Sequence, residues 1–187
     1  KLEFQGVTYT MKGDGFGMVL KDDLGNIDLE FVGTGPKSKV KLRAPKGETA
    51  ALRHVDIIAG GLGSFNARAF DITGDFTSEQ STGKVMVRDI GVNHLFTIGP
   101  GDEKATFRLY ANRVFDMTLM SAIPLKKINV TTWEDSDEKA DMIIAPWAKV
   151  IQSNVNFEAN ITLTDGEVKN TLGKLSVGGV ISGVVIR

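Results

Sequence analysis

The chain has no cysteine, which excludes disulfides, thiolate metal sites and cysteine nucleophiles together and leaves the cellular compartment open. Histidine is scarce too. His54 and His94 stand far apart in the sequence, whereas a zinc or acid–base site wants a convergent cluster. His54 is out of phase with Leu52 in LRHVDII and is expected on the solvent side. No apolar run approaches the length of a membrane span, and no stretch reads as a signal peptide. Without a starting Met, and ending inside a repeated phrase, the sequence reads as a piece of something longer, so a missing export signal excludes nothing. A phosphate-cradling glycine loop and a Gly-x-Ser-x-Gly elbow are both absent, because GDGFG (13–17) continues into a strand pattern rather than a helix. There is no excess of one charge: 22 Lys and Arg and 23 Asp and Glu are mixed along the chain, for a net charge of −1. The basic excess or stripe of a nucleic-acid binder is not visible. The most basic stretch, KSKVKLRAPK (37–46), alternates Lys39, Lys41 and Arg43 with Val40 and Leu42 and reads as an exposed strand face.

What is present is alternation. Helical periodicity is hard to find, and short period-two runs recur instead: VTYTM (7–11), IDLEFV (27–32), KVKL (39–42), TFRLY (106–110), VNFEANITL (155–163). Glycine, Asp, Asn, Ser and Pro divide them, and 21 glycines supply turns. This is the pattern of strands, in a chain whose 42% hydrophobic and 24% charged residues suit a folded core. The protein is expected to be all-β. MVLKDDLGNIDLEF (18–31) reads as a hairpin around Asp22–Asn26. The oxygen-rich set Asp22, Asp23, Asn26 and Asp28 also resembles a calcium loop, but turn chemistry uses the same residue types.

From residue 49 a frame recurs, Leu-x-x-apolar-x-apolar: LRHVDI (52–57), LKKINV (125–130), LGKLSV (172–177) and the looser LGSFNA (62–67). The starts at 62, 125 and 172 lie near three and two turns of a coil of roughly 20–25 residues. The copy at 52 fits a second face of the coil that holds the copy at 62. Such recurrence predicts a β-solenoid, in which each coil buries its apolar face against its neighbours. Runs such as FDITGDF and VISGVVI, apolar on both sides of a Gly, read as corners between inward-facing strands. A β-sandwich is the alternative. The expected organisation is an N-terminal β-hairpin or cap section, 1–48, and one continuous unit of coils, 49–187.

GTGPKSKVKL (33–42), IPLKKINVTTWEDSD (123–137), ADMIIAPWAKVIQ (140–152) and LGKLSVGGVISGVVIR (172–187) together resemble a repeat-bearing β-helix domain of large, mostly uncharacterised exported bacterial surface proteins. The resemblance covers most of the chain. It departs where Ala148-Lys149-Val150-Ile151 replaces a Gly-Lys-Leu run, and where Glu138 replaces a turn glycine. It implies a right-handed parallel β-helix and a secreted or surface location, and no reaction.

Several clusters could carry chemistry. β-Helices that cleave sugars use carboxylates with Arg or Lys, which draws attention to Arg68 with Asp71 and Asp75, Arg88 with Asp89, and Arg113 with Asp116. Each lies beside a Gly or a strand end, where solvated charge is also expected. WEDSDEKAD (133–141) is the densest acidic run, with Glu134, Asp135, Asp137, Glu138 and Asp141, and it interrupts the strand rhythm. As a loop inserted from a coil it is the candidate binding site, with Asp135, Asp137 and Asp141 around a cation and Trp133 as a platform for a sugar ring. A solvated loop and a packed tryptophan are the plainer readings, for Trp147 as well. No cofactor is expected, calcium at this loop being the alternative. The expected function is a non-enzymatic structural or adhesive module of a secreted or cell-surface protein, with carbohydrate or other surface components, not nucleic acid, as partners. A polysaccharide-cleaving enzyme or a carbohydrate- or calcium-binding module is the alternative.

Overall fold

In a computed structural model of the chain, residues 1–91, 94–137, 139–165, 171–182 and 184–186 are described, and they form strands without a helix. Two hairpins open the chain: β1 (Leu2–Phe4) with β2 (Val7–Lys12), and β3 (Phe16–Lys21) with β4 (Ile27–Val32). β5 (Lys39–Arg43) and β6 (Ala50–Leu52) follow. From there strands come in triplets: β7 (Val55–Ile58), β8 (Ser64–Ala67) and β9 (Phe70–Ile72), then β10 (Phe76–Ser78), β11 (Val85–Val87) and β12 (Asp89–Ile90). The next two are β13 (His94–Ile98), β14 (Phe107–Tyr110) and β15 (Arg113–Phe115), then β16 (Met117–Ser121), β17 (Leu125–Val130) and β18 (Thr132–Glu134). The last coils hold β19 (Met142–Ala145), β20 (Ala148–Ser153), β21 (Asn160–Leu163) and β22 (Leu172–Val177).

These strands stack into three sheets. Sheet 1 runs β1-β2-β5-β8-β11-β14-β17-β20-β22, sheet 2 runs β21-β19-β16-β13-β10-β7-β4-β3, and sheet 3 runs β18-β15-β12-β9-β6. Strands of successive coils pair in parallel, and antiparallel pairs among the described residues are β1–β2, β2–β5 and β3–β4. The chain is therefore a β-solenoid of about six turns, not a sandwich of antiparallel layers. β4 and β5 already pair in parallel with β7 and β8, so the hairpin strands β2 and β3 extend sheets 1 and 2 at the N-terminal end.

Register explains the repeated phrase. Leu125 pairs with Ala148 and Ala148 with Leu172, while Ile128, Ile151 and Leu175 form the next inward rung. LKKINV and LGKLSV are thus the same strand two coils apart. Phe65 reaches Ile128 through Val85 and Leu109, three coils on. LRHVDI instead spans the corner from β6 in sheet 3 to β7 in sheet 2, and FDITGDF turns the same corner one coil later. Ile181 and Ile186 of VISGVVI bridge to Phe157 and Ile161 across the equivalent corner, although Gly183 between them lies outside the described residues.

The inward rows form one core along the axis. Phe31, Phe65, Phe76, Phe96 and Phe107 follow one another, with Phe76 and Phe96 stacked at 4.4 Å and 3°. Burying a Phe contributes roughly 1.5–3 kcal/mol relative to exposing it. Corners are tight. A Cβ on Gly61 would stand 2.0 Å from the Ser81 carbonyl oxygen, and one on Gly99 would stand 2.1 Å from that of Glu79. Only glycine lets neighbouring coils approach so closely.

Candidate cation-binding corner

One corner of the solenoid is built differently from the rest. Between sheets 3 and 2 one coil turns on a single residue, Asp116, between Phe115 and Met117, with φ at 45°. Asp is among the side chains that tolerate this left-handed region. In the next coil the same corner is the seven-residue loop 135–141, between β18 and β19. The loop folds back over Asp116. Ser136 donates to it twice, from its N–H to Oδ1 at 2.5 Å and from its hydroxyl to Oδ2 at 2.7 Å. The Asp135 N–H donates to Glu158 Oε2 at 3.0 Å, tying the loop to the following coil.

The result is three acids in one place. Carboxylate oxygens of Asp116, Asp135 and Asp141 all lie within 4.8 Å of one another. Asp116 is 4% exposed and Asp141 2%. Trp133 Nε1–H donates to Asp141 Oδ2 at 2.6 Å, and Asp135 Oδ1 is buried without a hydrogen-bond partner. Burial, first, and then the charges of Asp135, Asp116 and Asp137 push the Asp141 carboxyl up to about 7, against the pull of the Trp133 hydrogen bond. Two chemistries relieve such crowding: a proton held on Asp141, or a hard cation drawn to several oxygens. Asp116, Asp135 and Asp141 are the residues that could hold a divalent cation.

The loop that the sequence singled out is therefore where acids converge, with a change of membership. Asp135 and Asp141 belong to the cluster. Asp137 does not: it is exposed, its Oδ1 accepts the Lys139 N–H at 2.7 Å, and Asp116 takes the third place. Trp133 is 0% exposed, edge-on to Phe157 at 5.8 Å, so its ring packs in the core and presents no face to a sugar. Trp147 is half-buried. Glu138 lies outside the described residues. Asp116 was singled out only as a partner of Arg113, because it sits about 20 residues from the loop; the available signal was an acid breaking an apolar run one coil length before Asp135.

The other candidates are used structurally. Arg88 closes on Asp71 rather than Asp89, with Nε to Oδ1 at 2.6 Å, and Arg113 closes on Asp89 rather than Asp116, with Nη2 to Oδ2 at 2.8 Å. Arg53 pairs with both Asp28 and Asp22. Arg88–Asp71 and Arg113–Asp89 stack one coil apart along sheet 3, and Arg53 joins the β6–β7 corner to Asp28 of β4. Arg68 donates to Met86 Sδ at 3.4 Å, and Asp75 Oδ1 accepts the Leu95 N–H. The Asp22–Asn26 segment is a turn, with Asp22 Oδ1 accepting the Leu24 and Asn26 N–H groups at 2.9 Å each. His54 Nδ1 accepts the Asp75 N–H at 3.1 Å. Stacking brings His94 into the same groove as Asp75, Asp116 and Asp141. Burial lowers its pKa, opposed by Asp75 and aided by the neighbouring His54.

No family model matches this sequence, and no curated protein or solved structure matches it either. No helix among the described residues is long and apolar enough to cross a membrane.

Proposed function

We propose that the chain is a non-enzymatic structural or adhesive β-solenoid module of a secreted or cell-surface bacterial protein. The observation that carries this reading is the fate of the arginines and acids. The Arg–Asp pairs that a sugar-cleaving site would deploy across a groove are consumed in coil-to-coil bonds at Arg53, Arg88 and Arg113. A stack tied from coil to coil by these pairs suits a rigid spacer or display surface. The resemblance of 123–137 and 172–187 to exported β-helix repeats supports the location. The test is incubation of the purified chain with a panel of acidic and neutral polysaccharides. Turnover that is abolished in Asp116→Asn would overturn the reading.

A second reading, a cation-binding module, is favoured by the orphaned Asp135 Oδ1 beside two buried carboxyls. Titration calorimetry with calcium decides it. One site lost in Asp135→Asn supports the reading, and no heat of binding at neutral pH removes it.

A further inference from the structure

Charge that is evenly mixed along the sequence is not evenly spread over the solenoid. From β2 to β22 the strands of sheet 1 contain nine lysines and arginines and no acid. The β5 pattern shows how they are placed: Lys39, Lys41 and Arg43 are exposed while Val40 and Leu42 are buried. Stacking then aligns cations from different coils. Lys12 stands opposite Lys39, which pairs with Ser64. Lys84 precedes Val85, whose partners are Phe65 and Leu109, and so falls between Ser64 and Arg108. Arg108 pairs with Lys127, and Val150 beyond it pairs with Lys174. With about 4.8 Å between neighbouring strands, the row from Lys12 to Lys174 is about 34 Å long.

This row is costly for the fold. Like charges directly opposite one another destabilise a sheet, and Lys12–Lys39 and Arg108–Lys127 are such pairs. None of the cations of this row is in an ion pair among the described residues. Lysines that guard a free sheet edge do not account for them, because β5, β14 and β17 are interior strands of sheet 1. Lys12, Lys39, Lys41, Lys84 and Arg108 also line a groove of about 490 Å³ whose floor includes Ser64 and Asn66. A flat, rigid row of unpaired cations over small polar residues has its electrostatic complement in a polymer bearing regularly spaced anions.

We propose that the outer face of sheet 1 binds a linear anionic polysaccharide along the solenoid axis, its carboxylates or sulfates meeting the row Lys12–Lys39–Lys84–Arg108–Lys127–Lys174. A sugar ring advances such a chain by about one strand spacing, so successive anions meet successive coils, with gaps at Ser64 and Val150. Single-stranded nucleic acid is disfavoured, because it needs aromatic platforms for its bases and Tyr110 is the outward aromatic on these strands. The face is separate from the acidic corner, and the inference does not depend on the module reading: a chain that cleaved polysaccharide would still bind through it.

The experiment measures binding of the purified chain to a polyuronate, a heparin-type sulfated glycan, neutral dextran and single-stranded DNA at two salt concentrations. Binding to either anionic glycan, weakening steeply with salt, is expected, and the tighter arm identifies the anion. Removing a cation at an anionic surface costs about fivefold, so Lys39→Thr/Arg108→Thr should lose about twenty-five-fold. Lys21→Thr/Lys104→Thr, with the same net charge, should change affinity less than about twofold. Threonine keeps strand preference at exposed positions, and cooperative thermal unfolding of both variants at a Tm no lower than that of the wild type certifies their fold. The inference is overturned by equal losses in the two variants, by equal binding to dextran, by tighter binding to DNA, or by no binding to either anionic glycan.

Discussion

Asp141→Asn isolates the electrostatic strain of the acidic corner. The amide keeps the shape and an oxygen to accept the Trp133 indole N–H, while its own NH₂ faces the carboxylates of Asp116 and Asp135. In the wild type the Asp141 carboxyl is held at about 7 against an ordinary 3.8. At about 1.4 kcal/mol per pKa unit, ionising it in the folded state costs at most about 4 kcal/mol. The sign follows from proton linkage. Between 3.8 and about 7 the folded state binds more protons than the unfolded one, so this contribution to stability falls as pH rises and levels off above 7. The asparagine variant lacks that slope. It should match the wild type near pH 4 and exceed it at pH 8 by up to about 4 kcal/mol, which is on the order of 10 °C in Tm for a chain of this size. The assay is thermal and urea unfolding across pH 4–8 in chelator-treated buffer, followed by fluorescence of the buried Trp133. A variant less stable than the wild type at pH 8, or a difference that does not change with pH, would refute the reasoning.

Other consequences are equally direct. Calcium at pH 7.5 should raise the wild-type Tm and leave Asp135→Asn unmoved, read by the same unfolding assay. Arg113→Ala should cost about 1–3 kcal/mol at neutral pH by leaving the buried Asp89 carboxylate without its strongest partner. Burial raises the Asp89 pKa, but the hydrogen bonds of Arg113 and Asn112 outweigh it and hold it low. Its stabilisation is therefore present above the ordinary 3.8 and lost as pH falls through the lowered value, so the gap between the two proteins should close in acid. Phe76→Ala removes the ring that links Phe65 to Phe96 and should lose about 3–5 kcal/mol in urea unfolding. Gly99→Ala puts a methyl 2.1 Å from the Glu79 carbonyl oxygen and should lose at least about 2 kcal/mol.

The strand content and the coil were legible because their causes are local. Alternation in KVKLR buries Val40 and Leu42 whatever lies beside them, and Leu125 and Leu172 recur two coils apart because the same inward rung must be filled. The hairpin at Asp22–Asn26 was legible for the same reason, since its turn bonds span four residues or fewer. Partners in the third dimension were not. Arg88 lies next to Asp89 in the chain but bonds Asp71, because side chains one coil apart stack while adjacent ones diverge at a corner.

The acidic corner and the basic face divide along that line. The residues at 133–141 suffice to mark an inserted acidic loop; the fold alone adds Asp116, excludes Asp137 and buries Trp133, since membership depends on which oxygens the returning loop brings together. Net charge near zero was true of the composition and concealed the surface. Coil lengths of about 18–26 residues put Lys39, Lys84, Arg108, Lys127 and Lys174 in one file, and the antiparallel pairing of β2 with β5 adds Lys12. Electrostatic potential depends on distance in space, and only the winding of the chain sets that distance.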